Sequence, residues 1–441
     1  MSAGDLLAQR INGDVGAGLA SDSAEALAAT SIAGLAPKAA VFPKTEAHVA
    51  ALLAFANRGG WKVVPWGSGS TRPGASTPQR YDIALVLTGL GQVLDHDSEN
   101  LTLTAQSGLA LAEANRQLAP KHQFLPLGFA SERRTLGGLI AANRTPPQRL
   151  VYGDARDQIL GIRVAMADGS LVRFGRKVLK NVAGYDMNKV FLGSEGQLGV
   201  IVEVTMKLAA LPDTAGYLAG SFAKAQDAFT AAGQCFRSAL QPSGIFVLDD
   251  AASAAWRSAQ GLPATGGTTL LVSFEGRGVT VKRQLADGGK LMTAGGASTV
   301  TALERLTDAG IHLLSRPGGA DPSADLILRI GTAPTALLAV WDDLATTLGA
   351  AGLARAADYG SGQIAASTKR ALLDGAVSGK IEALRGRVAA QRGYLVVQAA
   401  PPELRAKLSS WGDLGGEATL LRALKAKFDP NAILAPGRFI A

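Results

Sequence analysis

The chain has 441 residues, 47% hydrophobic and 18% charged, with a formal net charge of +8, 53 glycines and only 5% aromatics. That length exceeds one ordinary core and suits two or three domains, and the composition excludes a disordered chain. The shortage of aromatics argues against base stacking on nucleic acid, and no nucleic-acid motif is present.

The only cysteine is Cys235, which excludes an internal disulfide and a four-cysteine zinc or iron–sulfur site. It reads as a small core-filling residue in a reducing compartment. The N-terminus carries Asp5 where a secretory signal needs basic residues, and the most apolar stretch, Thr335–Ala351, is broken by Asp342 and Asp343. The expectation is a cytoplasmic protein without a transmembrane segment, peripheral to the inner membrane only through partners. Ten Lys/Arg lie between Ser131 and Lys180 against Glu132, Asp154, Asp157 and Asp168. Such a patch suits an acidic partner or a phosphorylated cofactor better than the alternatives of nucleic acid and membrane.

Residues 1–36, rich in Ala, Gly and Ser, read as a helical or partly ordered leader. Ala40-Val-Phe then precedes a helix capped by Thr45, with apolar positions Val49, Leu52, Leu53 and Ala56, ended by Gly59-Gly60. Trp61–Pro65 is the next strand, so a β-α-β unit is expected. Strands follow at Ile83–Leu87 and Leu101–Ala105, a helix at Leu109–Ala119 and a short strand at Gln123–Leu127. Asp168-Gly169 joins Asp157–Ala167 to Ser170–Phe174 as a hairpin. Val200–Leu208 alternates as a half-buried strand. Pro212–Gly216 reads as a linker into a second α/β region reaching about residue 405, with strands near Ile245–Leu248, Thr268–Phe274, Leu326–Ile330 and Tyr394–Gln398.

Three glycine loops punctuate the first region. In Pro65-Trp66-Gly67-Ser68-Gly69-Ser70-Thr71, glycines after a strand allow backbone amides to turn inward as an anion nest, with hydroxyls as extra donors. It is neither a Rossmann nor a Walker loop, since Arg72 stands where a third glycine belongs and no Gly-Lys-Ser/Thr follows; an ordinary turn is an equal alternative. In Thr135-Leu136-Gly137-Gly138-Leu-Ile-Ala-Ala142-Asn143, paired glycines at a helix start would lay a ligand against bare amides, or else mark a tight helix–sheet contact. Gly193-Ser-Glu-Gly196-Gln-Leu-Gly199-Val200-Ile201 alone reads as a turn.

In chain order, these loops together with Tyr152-Gly153, Leu179-Lys-Asn-Val-Ala-Gly-Tyr-Asp186 and Phe428-Asp-Pro-Asn…Pro-Gly-Arg438 resemble the FAD-linked oxidase family of the vanillyl-alcohol-oxidase, or PCMH, type. The resemblance is strong over roughly residues 38–208 and at the C-terminus, and poor between. The Lys-Asn-Val-Ala-Gly-Tyr-Asp form looks most like the FAD-binding E-subunit branch of bacterial glycolate oxidases. It implies an α+β protein: a PCMH-type FAD-binding lobe of two α/β subdomains over 37–212, a smaller α/β cap over 213–405, and a segment 406–441 returning to the FAD lobe. The implied cofactor is non-covalent FAD. Pro65–Thr71 would hold its pyrophosphate; Thr135, Leu136, Gly137, Gly138, Ala142 and Asn143 its flavin and ribityl portion; Gly196, Gly199, Val200 and Ile201 its adenosine side; and Arg438 would lie near the flavin ring. Gly153 belongs to the same set.

Covalent attachment through the first loop is unavailable, because no histidine occurs between His48 and His96 and Cys235 lies elsewhere. The four histidines, His48, His96, His122 and His312, are scattered and read as structural, so no metal site and no catalytic residue are assigned. Arg316 and Arg329 in the cap region are able to hold a carboxylate bidentately, or to form ordinary ion pairs. The resemblance implies a complex with a sister flavin subunit and an iron–sulfur subunit, acting on a small 2-hydroxy acid such as glycolate. A stand-alone hydroxy-acid dehydrogenase and a non-catalytic assembly scaffold are the alternatives.

Overall fold

The computed structural model describes residues 3–32, 34–70, 78, 81–128, 133–177, 185–315 and 325–438. The chain divides into two compact units: Met1–Pro146, Gly153–Leu211 and Leu414–Ala441 form the first, and Pro147–Tyr152 with Pro212–Asp413 the second.

In the first unit, helix α1 (Ala3–Asp14) buries Leu7 and Ile11, one helical turn apart, in the same core as Val49, Leu52 and Leu53. The N-terminal stretch is thus structural. After β1 (Ala20–Ser21) and α2 (Ala24–Ala29) come β2 (Ala39–Val41), α3 (Glu46–Gly59), β3 (Val63–Trp66) and β4 (Ile83–Val86). The Thr45 hydroxyl accepts the His48 amide at 3.2 Å, and Gly60 closes α3 in the left-handed region. The sheet order is β1-β2-β4-β3, with β2, β4 and β3 parallel.

A second, antiparallel sheet runs β5 (Val93–Asp97), β6 (Thr102–Gln106), β10 (Val200–Lys207), β8 (Ile159–Ala165), β9 (Leu171–Gly175). Two helices precede and follow the short strand β7 (Gln123–Phe124): α4 (Leu111–Leu118) and α5 (Leu136–Ala142). Strand β7 pairs with β11 (Ala209–Ala210). Two expectations fail here. Residues 155–158 form a helical turn with a capping box between Asp154 and Asp157, so the strand starts later. Strand β10 is buried on both faces rather than half-buried: its polar side chains are also covered, with the Thr205 and Thr104 hydroxyls hydrogen-bonded at 3.1 Å and Glu203 paired with Arg173 at 2.6 Å.

The C-terminal segment completes this unit. Ile433, Leu434 and Ala435 are fully buried beside β3, where the Val63 amide donates to the Ile433 carbonyl and the Ala435 amide to the Val63 carbonyl, both at 2.8 Å.

The second unit is one antiparallel sheet of eight strands: β15 (Thr299–Leu303), β12 (Thr214–Phe222), β14 (Thr268–Gly276), β13 (Gly244–Leu248), β17 (Leu353–Asp358), β18 (Gln363–Lys369), β16 (Asp325–Gly331) and β19 (Tyr394–Ala399). Residues 212–216 are no linker: β12 starts at Thr214, paired with Gly276. Helices Ala225–Arg237, Gly278–Ala294, Leu337–Leu348 and Val377–Ala390 place Phe229, Met292, Trp341 and Ile381 in one core with Leu270, Val272 and Phe274 of the sheet. Cys235 is fully buried there, and burial pushes its thiol up to about 11. Among the described residues no helix is long and apolar enough to cross a membrane.

Candidate cofactor site

Parallel strands β3 and β4 end on the same edge of their sheet, where a crevice is expected in such a topology. Trp66 closes β3 with its indole N–H donating to the Tyr81 hydroxyl, which in turn donates to the Thr30 carbonyl at 3.2 Å. Gly67 follows, packed so closely on α5 that a Cβ there would lie 2.2 Å from Thr135 Oγ1. Gly69 has φ +72°, and the Ser68 and Ser70 hydroxyls are 3.2 Å apart.

The third glycine loop is tied to the end of α5: the Gly193 and Glu195 amides donate to the Ile140 and Ala141 carbonyls at 3.0 Å. It then packs on the first loop, since a Cβ on Gly196 would lie 3.1 Å from Pro65 Cγ. Three segments far apart in sequence therefore meet around one cleft that is open to solvent.

Pro65, Trp66, Gly67, Ser68, Gly69 and Ser70 line it from the first loop. Thr135, Gly137, Gly138 and Ala142 line it from the second, and Gly196, Gly199, Val200 and Ile201 from the third. Arg438, nine-tenths buried, adds its charge from the C-terminal segment. Thr71 lies outside the described residues. Three expected residues sit elsewhere. Leu136 is fully buried in the core with Leu111 and Ile162; Asn143 caps α5 in the left-handed region at φ 44°; and Gly153 packs against the Asp157 carboxylate.

One detail of the second loop is corrected. The Gly137 amide donates to the Ser107 carbonyl at 2.8 Å and the Gly138 amide to Thr135 Oγ1 at 3.3 Å. These amides are spent within the protein, so the paired glycines give close approach rather than bare donors.

Ile32, Leu87, Ser107 and Arg134, which the motifs did not point to, complete the wall, together with Ala141 and Glu195 from within the second and third loops. Ser107-Gly108 right after a strand was the available signal. The lining suits an anionic dinucleotide with a large apolar ring. Arg134 and Arg438 supply positive charge, while Ile32, Leu87 and Ile201 supply apolar surface. The Ser107 hydroxyl is buried on this wall and has no partner among the described residues. Neither histidine nor cysteine is among the lining residues.

The family profile described as FAD binding domain matches residues 37–175, and that of the FAD linked oxidases, C-terminal domain, matches residues 211–331. The chain belongs to the FAD-linked oxidases. FAD is its cofactor, and it is an FAD-dependent oxidoreductase of the PCMH-type fold. Glycolate oxidase subunit GlcD of Bacillus subtilis is 28% identical over 92% of this chain and 89% of its own length. D-2-hydroxyglutarate dehydrogenase of Stutzerimonas stutzeri is 30% identical over 40% of this chain and 38% of its own. The structure of p-cresol methylhydroxylase with substrate bound superposes with a TM-score of 0.76 at 15% identity, covering 99% of this chain and 97% of that one, which shows a shared fold.

Outside the cleft, the basic patch is partly neutralised: Arg163 pairs with Glu46 at 2.8 Å, Arg173 with Glu203, and Lys177 with Asp95. His48 accepts the Lys44 amide at 3.4 Å and His96 bonds Gln123 at 2.8 Å. The side chain of His312 and all of Arg316 lie outside what is described. Arg329, on β16 between Ala365 and Val396, has a buried Nε with no acceptor among the described residues.

Proposed function

We propose that this FAD-linked oxidoreductase is the FAD-binding subunit of a glycolate oxidase, or glycolate dehydrogenase, complex. It takes part in oxidising glycolate to glyoxylate beside a catalytic flavin subunit and an iron–sulfur subunit. The observation that carries this reading is a cleft walled by three glycine loops and Arg438 in a chain with one cysteine and four scattered histidines. Bound FAD supplies a two-electron acceptor. A chain with a single cysteine has no four-thiolate iron–sulfur site, so an iron–sulfur cluster in such a complex would be held by another subunit. The similarity to a protein named as a glycolate oxidase subunit, over nearly the whole chain, supports the same assignment.

Within the cleft, Gly67–Ser70 would present amides and hydroxyls to the pyrophosphate. Thr135, Gly137 and Gly138 approach the flavin and ribityl portion, with Asn143 behind them fixing the end of α5. Gly196, Gly199 and Ile201 hold the adenosine side, and Arg438 stands by the flavin ring. The FAD is non-covalent, and the protein works in the cytoplasm, at the membrane only through its complex.

Arg329 favours a second reading, a stand-alone 2-hydroxy-acid dehydrogenase. A half-buried arginine whose Nε has no acceptor among the described residues is suited to a substrate carboxylate, and the relatives named for 2-hydroxy acids support that substrate class. Turnover decides between the two. The isolated FAD-loaded chain, given glycolate and an artificial acceptor, is expected to be inactive and the co-purified complex active. Turnover by the isolated chain that disappears in Arg329→Met would establish the second reading instead.

A further inference from the structure

We propose that the Ser107 hydroxyl is a hydrogen-bond donor to the bound FAD, a contact that the glycine motifs do not announce. Ser107 follows β6 and is held at both backbone groups: its amide donates to the Val202 carbonyl at 2.9 Å, and its carbonyl accepts the Gly137 amide at 2.8 Å. The next residue adds to the constraint. The Gly108 amide donates to the Leu90 carbonyl at 2.8 Å, and a Cβ on Gly108 would lie 1.9 Å from the Leu87 carbonyl oxygen. Across from it, a Cβ on Gly137 would lie 2.7 Å from Ser107 Cβ. The side chain is therefore pinned between β10 and the start of α5, with little freedom to seek a partner elsewhere.

Ser107 is 1% exposed and is one of the residues that line the cofactor cleft, and its buried hydroxyl has no hydrogen-bond partner among the described residues. Buried hydroxyls in native proteins are satisfied as a rule, and one left alone destabilises the fold that contains it. FAD is rich in acceptors, with carbonyl, ring-nitrogen, hydroxyl and phosphate oxygen groups along its whole length. A serine donor on a rigid wall matches any of these by rotating one bond. The orphan hydroxyl is thus a contact kept ready for the cofactor.

The test uses the full-length chain, stripped of flavin and reloaded, as wild type and as Ser107→Ala and Ser107→Cys. Three quantities are read: the melting temperature of the apoprotein, the dissociation constant for FAD by quenching of flavin fluorescence, and the rise in melting temperature on adding FAD. Ser107→Ala is expected to melt at the same or a higher temperature without FAD, because no bond within the protein is lost. It should bind FAD about tenfold more weakly and show a smaller FAD-induced rise. Ser107→Cys, with a weaker donor, should fall between. An unchanged dissociation constant in Ser107→Ala overturns the proposal. So does an apoprotein that melts lower or fails to fold, since the hydroxyl would then be structural. Wild-type protein that takes up no FAD overturns it together with the cofactor assignment.

Discussion

Gly67 carries no side chain because Thr135 occupies the space one would need: Oγ1 stands 2.2 Å from the site of its Cβ. Gly67→Ala must push the first loop off the start of α5, a change of the overpacking kind that costs about 1–3 kcal/mol. Thermal unfolding should show the loss, and the purified protein should carry at least about tenfold less flavin. Because one contact causes the clash, adding Thr135→Ala should restore part of the stability, a coupling that a double-mutant cycle measures. Asp358 makes a second prediction, independent of the cofactor. Burial pushes its carboxyl from 3.8 up to about 6, against the opposing help of Ser361 and Arg149. The fold holds this proton to about 6, whereas the unfolded chain releases it near 3.8. Between those values the native state binds more protons, so this contribution to stability is fully present below about 4 and is lost as pH rises through 6. Denaturant melts of Asp358→Asn from pH 4 to 7 should show a flatter profile than wild type; identical slopes would contradict the assignment.

At the scale of elements, one buried carboxylate organises the turn into the C-terminal segment, beside that segment's backbone bonds to β3. Asp429 accepts the Ile433 and Leu434 amides at 3.0 and 2.8 Å and pairs with Lys425 at 2.6 Å. The Lys425 ammonium also donates to the Gln197 carbonyl at 2.9 Å. That lysine thus ties the segment that brings Arg438 to the cleft to the third glycine loop. Asp429→Ala leaves the ammonium buried and unpaired, so a destabilisation of about 3 kcal/mol and faster loss of flavin are expected; equilibrium unfolding and flavin release report both. Elements with local signals were readable from sequence. Thr45 and Gly60 bound α3 because their side-chain chemistry and backbone freedom act within one turn, and Asp168-Gly169 marks the connection between β8 and β9. Strands β17 and β18 were not readable, since Leu-Ala-Arg-Ala-Ala-Asp and Gln-Ile-Ala-Ala-Ser-Thr-Lys lack β-branched alternation and owe their pairing to neighbours. Strand β12 was hidden by the Pro212-Asp-Thr-Ala-Gly216 turn chemistry at its start. The cleft was legible through its glycines, but Ser107 and the spent amides of Gly137 and Gly138 were not, because those depend on which backbone groups tertiary packing brings together.

At the scale of the whole molecule, the net charge of +8 is not one undivided patch. Arg163, Arg173 and Lys177 are paired within the protein and Arg134 lies on the cleft, so the region 131–180 serves folding and cofactor as well as any partner. We propose that three glycine loops and the C-terminal segment make one non-covalent FAD site. It is tested most directly by counting flavin in the purified chain, before and after acid precipitation, in wild type and in Gly67→Ala. About one FAD per wild-type chain is expected, released into the acid supernatant because neither histidine nor cysteine lines the cleft among the described residues, and little flavin in the variant. A colourless wild-type chain that takes up no added FAD, or flavin that stays with the acid pellet, would contradict it.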